Sequence, residues 1–342
     1  MRGTAAALAA AALALALAGC RDSPARPAPA LFGFSDSSPL AGQTTPRQSA
    51  ELSKRAGADS VRVTIDWTHT EGRPGAIGLR PVDAIYRAHV ARGIRPLLVV
   101  TGAPAWAWGP GRRCAPGRTC GHPPGPGHVD DYARFAATVA RRYPRAAGIE
   151  IWNEPNERLQ WLPAPDPAAY AGLLAAAHDA IEAVAPGMPV IGGSVSANLR
   201  DDVSRAGMGL VPFLEGMYEA GAAAKLDGLA VHAYPVPGDH GRGDRAIDRA
   251  RGVRDARGDD SPLWLTEVGY SSTAPGAGEE EQAEVLAEML GRLRETGDVR
   301  AVYVHTLVEP TYWPEDHPSR GYGVLRPDLS PKPAYCALAP AC

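Results

Sequence analysis

From Leu31 onward the chain keeps switching hydrophobic period. Short apolar runs rich in β-branched residues alternate with stretches whose apolar positions recur three and four apart. These are the marks of buried strands and one-sided helices. The alternation of Ser60-Val61-Arg62-Val63-Thr64-Ile65-Asp66-Trp67 predicts a strand. Further strands are predicted at 31–34, 94–101, 148–152, 189–195, 226–234, 262–270 and 299–307. Between them, helices are predicted at 46–56, 81–92 and 130–142, then after the cap Asp166-Pro167, then at 208–220, 244–256, 279–296 and 333–338. In 81–92, Val82, Ile85, Tyr86, His89 and Val90 share one face; in 279–296, Gln282, Val285, Leu286, Met289, Leu290 and Leu293 do.

Eight strands alternating with helices imply a parallel sheet with crossover helices. The length from Leu31 to Cys342 suits a single-domain α/β (β/α)8 TIM barrel with loop insertions. The rival is an open doubly wound sheet, weakened by the lack of a glycine-rich phosphate loop at a first strand–helix turn. No repeat of 20–50 residues is visible.

Composition adds little to that picture. The 342 residues are 21% charged and 45% hydrophobic, which suits one large globular unit. The net charge of −3, without a basic patch, gives no reason to expect a nucleic-acid partner.

The first residues read as an address. Arg2 precedes an Ala/Leu run that ends in Leu17-Ala18-Gly19-Cys20. A charged head, an apolar region and small residues before a cleavage point describe a secretory signal, too short for a confident membrane span. The ending resembles a bacterial lipobox. That resemblance implies a signal peptide over 1–19, lipidation of Cys20 and a Pro-rich tether over 20–30, with the catalytic domain at 31–342. The expected location is an exported, membrane-anchored lipoprotein at the cell surface or in the periplasm of a bacterium. The four remaining cysteines are Cys114, Cys120, Cys336 and Cys342. In an exported chain they suggest disulfides, the sequence-local pairs being Cys114–Cys120 and Cys336–Cys342, although three connectivities are possible. A zinc site with His122 and His128 nearby is the alternative, and its spacing matches no zinc pattern.

Polar residues collect at the predicted C-terminal strand ends, where barrels carry their active sites. They are Asp66 after the second strand, Asn153 and Glu154 after the fourth, His232 and Tyr234 after the sixth and Glu267 after the seventh. Side-chain parity puts Glu150, Trp152 and Glu154 on one face, and Arg62, Thr64 and Asp66 on one face. A buried Glu150 needs a partner, and Arg62 is the natural one. Loop aromatics such as Trp106 and Trp313 could stack on sugars or cap the core. Glu157 reads as a solvated or capping group, and His305 as a satisfied barrel histidine.

Trp152-Asn153-Glu154-Pro155-Asn156, His232-Ala233-Tyr234 and Thr266-Glu267-Val268-Gly269 together resemble clan A of the glycoside hydrolases, family 39 and its relatives most closely. The resemblance covers nearly the whole barrel. It implies a retaining glycosidase acting on an oligo- or polysaccharide, with Glu154 as general acid/base and Glu267 as nucleophile. It also implies that Asn153 binds the sugar 2-hydroxyl, Tyr234 supports the nucleophile, His232 lines the site and Arg62 lies close to the nucleophile. Asp66, Trp106 and Trp313 are added as sugar contacts. The expected partner is a carbohydrate substrate, with no cofactor, no metal and a monomeric state. One departure stands out: the eighth strand, Val302 to Leu307, lacks the tryptophan the clan often places there, and Trp313 follows in the loop. The alternative is a carbohydrate-binding surface lipoprotein without turnover; it would not need both carboxylates.

Overall fold

The structure is a computed structural model, which describes residues 30–114, 120–200, 207–275, 277–315, 317, 319–339 and 342. The proposed signal peptide, Cys20 and all of the tether but Ala30 lie outside the described residues.

Eight parallel strands close into a barrel in chain order: β1 (Leu31–Ser35), β2 (Ser60–Asp66), β3 (Arg95–Thr101), β4 (Gly148–Ile151), β5 (Val190–Ser196), β6 (Gly228–His232), β7 (Leu263–Val268) and β8 (Val299–His305). β8 pairs back onto β1, so the sheet has no edge and the doubly wound alternative falls. The helices are α1 (Pro46–Arg55), α2 (Trp67–Thr70), α3 (Arg80–Val90), α4 (Val129–Arg142), α5 (Pro167–Val184), α6 (Leu210–Glu219), α7 (Arg242–Ala256), α8 (Glu279–Glu295) and α9 (Pro333–Leu338). Their starts follow the sequence chemistry. Thr45 and Gln48 form a capping box ahead of Pro46, and the Asp166 side chain accepts from the Ala169 N–H ahead of Pro167.

The predicted apolar stripes face the sheet. In α8, Gln282, Val285, Leu286, Met289, Leu290 and Leu293 are all buried. A separate apolar cluster of Leu31, Leu97, Ala147, Ile191, Ala230, Trp264, Ala301 and Tyr303 joins strands around the ring. Both sequence-local disulfides are present, Cys114–Cys120 and Cys336–Cys342, which removes these cysteines as zinc ligands. The structure also contains the short α2, which the alternating pattern through Trp67 did not announce; Asp66 ends β2 and caps this helix.

Two strand ends are irregular, and both shape the site. β4 stops at Ile151 because Trp152 and Glu154 take left-handed backbone angles (φ 69° and 45°). Such angles cost a residue with a side chain about 1 kcal/mol or more. Next to it, β5 bulges between Gly192 and Val195. Gly193 has φ 93°, and a Cβ there would come within 2.9 Å of the Ala230 carbonyl oxygen.

Candidate active site

The left-handed turn at Trp152 overturns the predicted parity. Glu150 and Glu154 both reach the site, but Trp152 does not share their face. It packs on Tyr132 and Trp161 (ring centroids 5.9 and 5.4 Å), and its indole N–H donates to the Gln160 carbonyl at 3.0 Å. The large apolar ring is drawn into the core, and the chain must twist to keep the next polar residues at the mouth. Glu154 is then fixed by its own N–H, which donates to the Ser194 carbonyl in the β5 bulge at 3.0 Å.

Glu267 lies near the end of β7, with His232 of β6 as its register partner. One carboxylate oxygen of Glu154, one of Glu267 and a ring nitrogen of His232 lie within 4.8 Å of one another. The two carboxylates remain open to the mouth, 23% and 15% exposed. Beneath them everything is buried. Arg62 and Glu150 are 2% and 0% exposed and meet through Nε and Oε2 at 2.7 Å.

Arg62 organises this floor. Its Nη1 donates to Glu267 Oε1 and to Ser35 Oγ, and its Nη2 donates to Asn153 Oδ1 at 2.9 Å and Glu150 Oε1 at 3.3 Å. Ser194 Oγ donates to Glu150 as well. With its donors engaged and its side chain buried, Arg62 pairs with Glu150 as the sequence suggested and acts as a positioning residue for Glu267. Asn153 spends its carbonyl oxygen on Arg62, which leaves its amide N–H groups free among the described residues.

The electrostatics separate the two carboxylates. Burial pushes the Glu267 carboxyl up, but the charges of His232 and Arg62 and the hydrogen bond from Tyr234 outweigh it, holding Glu267 well below the usual carboxylate range. Tyr234 Oη donates to Glu267 Oε2 at 2.5 Å. Burial drives the phenol's own pKa strongly upward, with the Glu267 charge adding to that, so Tyr234 remains a donor.

His232 is fully buried and lies beneath both carboxylates. Its Nδ1 lies 2.9 Å from Glu154 Oε1 and 3.7 Å from Glu267 Oε2. Burial pulls its pKa down, yet Glu267 and Glu154 raise it overall. Its Nε2 has no hydrogen-bond partner among the described residues and sits 4.0 Å from Glu150 Oε1. Glu154, His232 and Glu267 are also spaced to hold a cation, but the Arg62 guanidinium already supplies positive charge to Glu267.

The remaining predicted contacts divide. Trp106 is turned into the core: its N–H donates to the Glu71 carbonyl at 2.9 Å, and its ring meets Trp67 and His128 edge-on. Its ring is thus partly buried against the core. Asp66 caps α2 through Thr68 N (2.8 Å) and faces His69 Nδ1 (2.9 Å), while still lining a cavity of ≈490 Å³ with Gly102, Gly121 and Trp313. Trp313 is 39% exposed and stacks flat on His317 at 4.1 Å.

Sequence reasoning missed two groups. His305 was read as a satisfied barrel histidine, yet its Nδ1 has no hydrogen-bond partner among the described residues and lies 3.9 Å from Glu267 Oε2. Glu157 was read as solvated; instead Ser196 Oγ donates to it, and burial raises its pKa. Only its spacing, three residues after Glu154, could have pointed to it.

Two carboxylates facing each other at the C-terminal mouth of a (β/α)8 barrel, one held ionised, form the kind of pair that glycoside hydrolases use. The chain matches the family described as the glycosyl hydrolase catalytic core over residues 145–312, a span that runs from ahead of β4 past β8. Solved structures share the fold. A family 39 glycoside hydrolase from Bacteroides cellulosilyticus WH2 aligns at TM-score 0.69 and 23% identity, covering 91% of this chain and 63% of its own. A monomeric beta-xylosidase from Caulobacter crescentus CB15 aligns at 0.67 and 21%, covering 92% and 69%. A family 5 subfamily 18 enzyme from Streptomyces cattleya, in complex with GlcNAc, aligns at 0.66 and 21%, covering 91% and 79%. The chain thus spans 63% of the length of the first of these. No curated protein matches the chain.

Proposed function

We propose that the protein is a retaining glycoside hydrolase acting on an oligo- or polysaccharide, with Glu267 as nucleophile and Glu154 as general acid/base. The carrying observation is the approach of their carboxylate oxygens to within 4.8 Å. Retaining enzymes hold the two groups about 5–5.5 Å apart, whereas inverting enzymes leave roughly 6.5–9.5 Å for a water.

In the first step a Glu267 oxygen attacks the anomeric carbon, the bond to the leaving oxygen breaks, and Glu154 gives that oxygen its proton. The sugar is left as an ester of Glu267. Esterification removes the Glu267 charge, so Glu154 now serves as base. It takes a proton from water as the water oxygen attacks the same carbon and Glu267 leaves as carboxylate. Arg62 and Tyr234 hold opposite oxygens of Glu267, fixing its plane and stabilising the charge it carries before attack and after release. The free Asn153 amide is placed to donate to a sugar hydroxyl.

A non-catalytic sugar-binding role needs neither an ionised Glu267 nor a second carboxylate beside it. The Leu17-Ala18-Gly19-Cys20 ending supports an exported lipoprotein tethered to a bacterial membrane through Cys20, working as a monomer on the cell surface or in the periplasm.

The test is azide rescue of two variants on an activated aryl glycoside. Glu267→Ala is expected to lose turnover and to form the inverted glycosyl azide, and Glu154→Ala to form the retained one. Full turnover by Glu267→Ala would reject the assignment.

A further inference from the structure

Beside the carboxylate pair, and sharing Tyr234 with it, lies a cavity of ≈340 Å³ whose walls include Glu157, Ser196, Asn198, Arg200, Tyr234 and Arg242. This cavity belongs to the acid/base side of the mouth. Glu157 donates its N–H to the Glu154 carbonyl at 2.9 Å, and the other walls come from the loops after β5 and β6 and the start of α7. On the nucleophile side, by contrast, stands Tyr312 of the loop after β8, whose phenol pKa is raised by burial and by the charges of Glu267 and Asp36. Glu154 protonates the leaving oxygen in the reading above, so a cavity walled by Glu157, three residues further on, is the candidate seat of the leaving-group sugar.

Its charge is unusual for a sugar subsite. Arg242 is half-buried, and one N–H of its guanidinium is fixed by the Ala197 carbonyl at 2.8 Å. Neither Arg242 nor Arg200 has a carboxylate within ion-pair distance among the described residues. Glu157, the acidic group in the wall, is engaged by Ser196 Oγ; burial raises its pKa, and the charge of the nearby Arg242 offsets only part of that rise. A guanidinium anchored by a carbonyl, with no ion pair among the described residues, recognises a planar or tetrahedral oxyanion through paired N–H donors.

We infer that this subsite selects a leaving-group sugar bearing an anionic substituent, a carboxylate or a sulfate ester, through Arg242 with Arg200 beside it. This rests on the glycosidase reading above and adds the substrate class to it.

The test compares matched substrates on the full chain. Uronate-containing oligosaccharides are set against their carboxyl-reduced forms, and sulfated oligosaccharides against their desulfated forms. Whichever anion is the natural one, its form is expected to show a kcat/KM about tenfold or more above its neutral counterpart, the scale of a hydrogen-bonded charge. Arg242→Gln should collapse that ratio, and Arg242→Lys should keep part of it. The same substrates are titrated calorimetrically onto Glu267→Gln, with and without Arg242→Gln, so that binding is read without turnover. Neutral forms cleaved or bound as well as the anionic ones, or a ratio unmoved by Arg242→Gln, would overturn the inference. If nothing is cleaved but Glu267→Gln prefers the anionic forms through Arg242, the anion site stands, and its assignment to a leaving-group sugar falls with the glycosidase reading. If nothing is cleaved and no preference is bound, both fall.

Discussion

The buried imidazole of His232 places Nδ1 2.9 Å from Glu154 Oε1, directly under the residue assigned as acid/base. The same nitrogen is 3.7 Å from Glu267 Oε2, so one ring couples the two carboxylates. Its positive charge helps hold Glu267 ionised. In His232→Asn that charge is gone and the Glu267 carboxyl rises toward its ordinary value. The acid limb of kcat/KM is expected to move to higher pH. A pH–rate profile reads this directly. A ring that only filled space would lower the rate without moving the limb.

Arg62 should dominate stability in the same region. Removing it strands the buried Glu150 and the partly buried Glu267 without their shared cation. Breaking one partner of a buried ion pair costs roughly 3–5 kcal/mol, and Arg62→Met is expected to fall in that range at neutral pH. The sign with pH follows from Glu267. Its folded-state pKa is depressed, so its contribution is full above the unfolded carboxylate value and is lost as pH falls through the folded one. The gap in unfolding midpoint between the native chain and Arg62→Met should therefore be widest near pH 7 and narrow as pH drops below the ordinary carboxylate range. Thermal unfolding across pH checks it; a gap that widens in acid would refute the ion-pair account.

Trp106 and Trp313 should fail in different ways. Trp106 is packed on Trp67 and bonded to the Glu71 carbonyl, so Trp106→Ala is expected to lower stability by about 2–3 kcal/mol. Trp313 lies half-open at the mouth, so Trp313→Ala should leave stability nearly unchanged and weaken activity on long chains more than on an aryl monosaccharide. Denaturant unfolding together with kcat/KM on both substrates separates them. Equal losses on long and short substrates for Trp313→Ala would remove it from the cleft.

The barrel was legible because its order is written in period: every strand and every helix longer than four residues was announced by local apolar spacing. The two catalytic candidates were legible because their neighbours, Asn153-Glu154-Pro155 and Thr266-Glu267, sit where strands must end. Parity failed at Trp152 because a strand rule assumes extended backbone, and the left-handed angles there answer to the packing of one large ring between Tyr132 and Trp161. Trp106 stayed open between cleft and core for a related reason: which way a loop indole faces depends on the partner it finds, here Trp67, and no local pattern carries that. The role of Glu157 depends on Ser196 and Arg242, which reach it only once β4, β5 and β6 stand side by side.

The central claim is double displacement by Glu267 and Glu154. The most direct measurement is proton NMR of the anomeric signal of the first product, followed from the start of hydrolysis of a substrate the protein cleaves. Retention of the substrate's anomeric configuration, with the other anomer appearing only later by mutarotation, is the expected result. An inverted first product would contradict the account.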